Sequence, residues 1–73
     1  MSTKDDLREV EEDLVRLRAE NQDLRNHIRD VGATDQVEIS ALISQADEQE
    51  ELIAQLEGRR DTLFKRLAAE GGA

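Results

Sequence analysis

The sequence predicts an all-α protein: a helical hairpin of two long antiparallel helices, dimerising into a four-helix bundle or coiled coil. Three observations predict it. Apolar residues recur three and four apart in two long runs, Gly32 and a short polar stretch separate those runs, and no proline interrupts either one. A repeat averaging about 3.5 residues lines one stripe of a helix and obliges that stripe to meet another helix.

The first run is Leu7, Val10, Leu14, Leu17, Leu24, Ile28 and Val31, with Asn21 as its polar step. Ser2 and Thr3 can cap its start, and Asp5 and Asp6 place negative charge in the opening turn, where the helix dipole favours it. Helix 1 is expected over about residues 3–31. Gly32 follows where a left-handed C′ residue would sit, and Thr34 and Asp35 are candidate caps for the next helix. Glu38, three residues after Asp35, completes a capping-box pattern. The turn is expected at 32–34, helix 2 at about 35–70, and a flexible tail at 71–73, all within one unit spanning 1–73. The second run is Ile39, Leu42, Ala46, Ile53, Leu56, Leu63 and Leu67, with Gln49 and Arg60 as polar steps.

An unbent chain is the alternative. Ile28, Val31, Asp35, Ile39 and Leu42 read as a heptad pattern with a four-residue stutter, which continuous coiled coils tolerate. One glycine inside a helix costs only about 1 kcal/mol relative to Ala. One long helix with a stutter near Gly32, in a parallel dimeric coiled coil, therefore stays open. In that arrangement Asp13 would meet Arg18 of the partner and Glu20 would meet Arg25, against a repulsive Asp6 and Glu11.

Folding the chain back with Ile28 opposite Ile39 offers another registry. Leu24 then meets Leu42 or Ile43, Asn21 meets Ala46, Leu14 meets Ile53, and Val10 meets Leu56. Flanking the seam, Arg18 falls near Glu50, His27 near Glu38 and Asp6 near Arg59, against a repulsive Glu11 and Glu57. The second run also carries Ile43, Leu52 and Phe64 beside its stripe, a wider face that suits a bundle better than a two-stranded zipper. In this registry Leu63, Phe64 and Leu67 overhang the start of helix 1. Burying such side chains is worth about 1.5–3 kcal/mol each, which favours pairing of two hairpins. The stripe residues of both runs, with Asn21, Ile43 and Phe64, are thus the expected oligomer interface.

The segment Leu17-Arg18-Ala19-Glu20-Asn21-Gln22-Asp23-Leu24-Arg25 resembles the Leu-x-x-Glu-Asn-x-x-Leu segment of leucine zippers. The resemblance covers about one helical turn on either side of Asn21. It implies that Asn21 sets register or partner number at a cost in stability. The structural alternative is a polar layer opposite Ala46, solvated or bonded locally. Leucine zippers carry a DNA-gripping basic helix upstream, but residues 1–13 hold only Lys4 and Arg8 among several acids, so DNA binding does not carry over.

Composition bounds the rest. At 73 residues a single core is thin, and without cysteine no disulfide or Cys-rich zinc site supplements it, so self-association is the expected remedy. The cysteine-free chain fits a reducing cytosol, and a cytoplasmic location is expected. No apolar stretch approaches the ~18 residues of a membrane span, and no signal-peptide core opens the chain. Eighteen acids against ten Lys and Arg give a net charge of −8, which argues against phosphate backbones and anionic lipid and permits a basic protein partner.

Chemistry-bearing clusters are few. His27 has Asp23 and Asp30 nearby, but helical-bundle metal sites use Glu-x-x-His on several helices, so no metal is expected. Pairing of His27 with Glu38 or a neighbouring acid is the preferred reading. Arg59, Arg60, Lys65 and Arg66 form a basic cluster near the end of helix 2, where the dipole favours them and Asp61 can pair with Lys65. Arg59 and Arg60 are the candidate anion contact, and Arg60, on the stripe itself, is expected either to snorkel out of the seam or to mark where pairing with the partner helix stops. Glu48, Glu50, Glu51 and Glu57, with Glu9, Glu11, Glu12 and Asp13, are expected to form one negative flank. No catalytic residue and no cofactor are expected. The leading function is a non-enzymatic protein–protein interaction module, a self-associating scaffold or adaptor. The alternatives are an acidic regulator or inhibitor that covers a basic surface, such as that of a nucleic-acid-binding protein, and a helical bundle sensing a small ligand.

Overall fold

A computed structural model describes residues 2–31 and 36–71. Two helices make up the fold, α1 (Thr3–Val31) and α2 (Gln36–Gly71), and they pack against each other as a hairpin. The molecule measures 59 × 16 × 14 Å. That length is close to the ~54 Å of a helix the size of α2 and about half the ~110 Å of an unbent 73-residue rod. The continuous helix is therefore not the fold. The expected turn at 32–34 and the caps at Thr34 and Asp35 lie outside the described residues.

Local chemistry starts α1 where the sequence asks. The Asp5 amide donates to Ser2 Oγ at 3.1 Å, and the Asp6 amide donates to the Ser2 carbonyl at 3.0 Å, so Ser2 is the N-cap. Asp5 and Asp6 occupy the first turn, and Arg29 stands in the last. α2 runs on through Gly71 and has no basic residue in its last turn. Because the dipole effect fades beyond one turn, it gives no account of the Arg59–Arg66 cluster. The corresponding expectation is corrected.

The expected meeting of Asn21 with Ala46 is made, while the leucine stripes align one three-residue step from the expected registry. Asn21 Nδ2 donates to the Ala46 carbonyl at 3.0 Å and to Gln49 Oε1 at 3.2 Å. A helix carbonyl points toward its own C-terminus, so the Ala46 oxygen leans toward the turn that carries Gln49, and both acceptors face Asn21 together. Counting outward in heptads from Asn21 opposite Gln49 brings Leu14 level with Leu56 and Leu7 level with Leu63. At the open end, Thr3 Oγ1 donates to Glu70 Oε1 at 2.8 Å. The two helices thus finish nearly flush, and the expected overhang of Leu63 and Leu67 is absent. Leu63 is fully buried, and Leu67 packs against the same cluster.

The core is concentrated in the half of the hairpin near the chain ends. Leu7, Val10, Leu14, Ile53 and Leu63 form its buried cluster, with Leu17, Leu56 and Leu67 packed against it. Toward the turn, Leu24, Ile28, Ile39 and Leu42 are only half-buried, and Asn21 and Ala46 are the buried positions there. A small residue and a polar layer give little apolar surface to cover. The overall spread reflects this thinness: the radius of gyration is 16.7 Å, against about 11 Å for a compact domain of this length.

Candidate interaction surface

The stripe residues expected to form an oligomer interface are used first within the chain. Leu7, Val10, Leu14, Asn21, Ala46, Ile53 and Leu63 are buried in the seam between α1 and α2. Leu17, Leu24, Ile28, Ile39, Leu42, Leu56 and Leu67 are half-buried along it. Val31 lies at the end of α1, and its side chain is outside the described set. Of the remaining interface candidates, Ile43 and Phe64 face solvent at 41% and 47% exposure.

One flank of the seam is ordered by ion pairs. Arg18 Nη2 reaches Glu57 Oε2 at 3.1 Å, and Arg25 Nη2 reaches Glu50 Oε2 at 2.7 Å and Asp47 Oδ1 at 3.2 Å. The expected pairing of Arg18 with Glu50 is corrected, since the register shift moves each arginine to a different acid. Heptad steps from these pairs define who else shares the flank. One step toward the chain ends lie Glu11 and Phe64, and one step from Glu50 toward the turn lies Ile43. Leu52, 44% exposed, sits on the opposite flank. The wide apolar face expected for α2 is therefore split across the seam.

Hydrogen bonding to Glu50 is the main cause that raises the Arg25 pKa above its ordinary value, with burial opposing it and Asp47 adding to it. A pKa raised by folding stabilises the fold at every pH below the ordinary arginine range. That support is lost only as pH climbs beyond it.

The expected single negative flank is not formed. Glu9, Glu11, Glu12 and Asp13 stand level with residues 57–61 of α2, whereas Glu48, Glu50 and Glu51 stand level with residues 19–22 of α1. Two acidic zones result, separated along the axis. Charge is also uneven along the hairpin. Residues 19–31 and 36–51 carry eight acids and two Lys or Arg, whereas residues 2–18 and 52–71 carry nine acids and eight Lys or Arg. The turn half is strongly negative, and the half near the chain ends is close to balanced.

Arg59 is exposed and Arg60 half-buried. Adjacent helical residues project about 100° apart, so the two guanidinium groups do not point in one direction. Arg60 occupies a stripe position level with Val10, and its Nε is buried without a hydrogen-bond partner. His27 is exposed on α1. Among the described residues, no group of three or more His, Cys, Asp or Glu side chains could hold a metal ion, and no helix is long and apolar enough to cross a membrane.

Sequence reasoning overlooked one feature of the outer surface. Arg8, Glu11, Glu12 and Val15 form a shallow, open patch on the outer face of α1, and Val15 is 69% exposed. The available signal was a β-branched apolar residue beside Leu14, off the stripe, in an otherwise charged helix. With this geometry in hand, no known protein family, curated protein or solved structure matches the chain.

Proposed function

We propose that this chain is a non-enzymatic protein–protein interaction module that pairs with a second copy into a four-helix bundle and serves as a scaffold or adaptor. Phe64 carries the reading. It is the only aromatic residue of the chain, it follows the fully buried Leu63, and nearly half of its surface lies in water. A two-helix layer has one buried seam and nothing behind it, and association is the common route by which so small a core gains stability. Covering Phe64 enlarges the apolar area removed from water, at roughly 25 cal/mol per Å².

Sedimentation equilibrium of the full chain, with helicity followed by circular dichroism, tests this. A dimer at micromolar concentration, with a thermal midpoint that rises with protein concentration, is the expected result. A fully helical monomer across that range would rule the reading out.

A second reading rests on the acid excess of the turn half. That half would lie along a basic protein surface, as a regulator acting by occupancy, and its binding would weaken steeply with salt.

A further inference from the structure

Resting on the self-association just proposed, the geometry points to where the second copy docks. We propose that it docks on the half near the chain ends, through the flank bearing Phe64, each Phe64 ring packing on the exposed Val15 and the Arg8–Glu11–Glu12 surface beside it in the other copy. Three observations carry this.

The first is placement. The Arg18–Glu57 ion pair defines one flank of the seam, and one heptad nearer the chain ends that same flank carries Glu11 on α1 and Phe64 on α2. Phe64 and Glu11 are thus neighbours on one side of the molecule, and Val15, one turn beyond Glu11, adjoins that flank on the outer face of α1. A contact between such neighbours is self-complementary about a single two-fold axis, so one rotation seats both rings and closes the assembly.

The second is fit. Val15, 69% exposed, offers apolar surface to the ring, and the stems of Arg8, Glu11 and Glu12 can extend that surface. The acids beside it, Glu11 and Glu12, meet an incoming Phe64 whose chain neighbour is the exposed Lys65. Lys65 thus offers those acids a partner across the contact.

The third is repulsion avoided. A two-fold through this region brings together the nearly balanced halves and sends the two acidic turn halves to opposite ends of the dimer. Pairing along the full hairpins in parallel would instead set eight acids beside eight. For like charges at close quarters that arrangement is disfavoured.

The test compares the full-length chain with Phe64→Ser, Val15→Glu and Leu52→Ser by sedimentation equilibrium. All three positions are exposed, and helicity by circular dichroism verifies folding of each variant. The expected result is dimerisation weakened roughly tenfold or more by Phe64→Ser and by Val15→Glu, and unchanged by Leu52→Ser. Glu12→Lys is expected to weaken pairing and Lys65→Glu to restore it in the double variant. Spin labels on Ser40 of the two copies should lie about 60 Å apart, from 1.5 Å per residue on each side of the axis. Dimerisation that survives Phe64→Ser and Val15→Glu, or that Leu52→Ser alone abolishes, overturns this docking while leaving self-association standing. A short Ser40–Ser40 distance overturns it equally. A wild-type chain that stays monomeric removes the self-association reading itself.

Discussion

Asn21 is buried and donates two hydrogen bonds across the seam, to the Ala46 carbonyl and to Gln49. Removing the donor leaves both acceptors without their cross-helix partner, and an unsatisfied buried polar group costs about 1–3 kcal/mol. Asn21→Ala is expected to lower stability by that amount in denaturant unfolding. Asn21→Leu combined with Gln49→Leu should instead raise stability while broadening the distances measured between the helices, because the polar layer no longer distinguishes registers. Arg60 presents the opposite case, a buried Nε with no partner in a stripe position. Arg60→Leu is expected to raise the thermal midpoint, with a gain of about 1–3 kcal/mol from relieving that donor. A lower midpoint would show that the guanidinium contributes more than it costs. Both residues were legible in the sequence as polar steps on an apolar stripe. Their different fates were not, because an amide needs an acceptor at about 3 Å and only the folded register supplies one.

At the level of the elements, α1 and α2 do not pack evenly. The fully buried Leu14 and Leu63 sit in the half near the chain ends, while Leu24, Ile28, Ile39 and Leu42 remain half-buried toward the turn. Regions with few buried apolar contacts open at lower free-energy cost than the core. Amide hydrogen exchange should therefore be slower around Leu14 and Leu56 than around Ile28 and Leu42. Consistent with that gradient, Leu14→Ala is expected to cost about 2–5 kcal/mol, enough to unfold much of a small domain at room temperature. Uniform exchange along both helices would contradict the uneven core. The helices themselves were readable from spacing, the Ser2 cap and the acids of the first turn. Less readable was the fate of the charges. Arg18 found Glu57 rather than the expected Glu50, which Arg25 takes instead, since exposed pairs worth about 0–1 kcal/mol follow a register and do not choose it.

For the whole molecule the decisive geometry is the return of the chain on itself. Spin labels at Arg8 and Arg59 of one chain stand on facing helices at nearly the same level. Their separation should be near the 8–10 Å between packed helix axes plus the label arms, against some 75 Å in a straight helix. A long distance would dismiss the hairpin. Heptad spacing and the Ser2 cap were enough by themselves to determine two amphipathic helical stripes, with the unbent single helix still open. Only the tertiary structure decided how those stripes align, and with it which flank holds Phe64, where the core lies and how charge divides along the axis. Apolar contact is non-directional, so sliding one leucine stripe past another by a helical step changes little. The hydrogen bonds from the buried Asn21 have short reach and fixed direction, and they select one alignment from the set that the stripes allow.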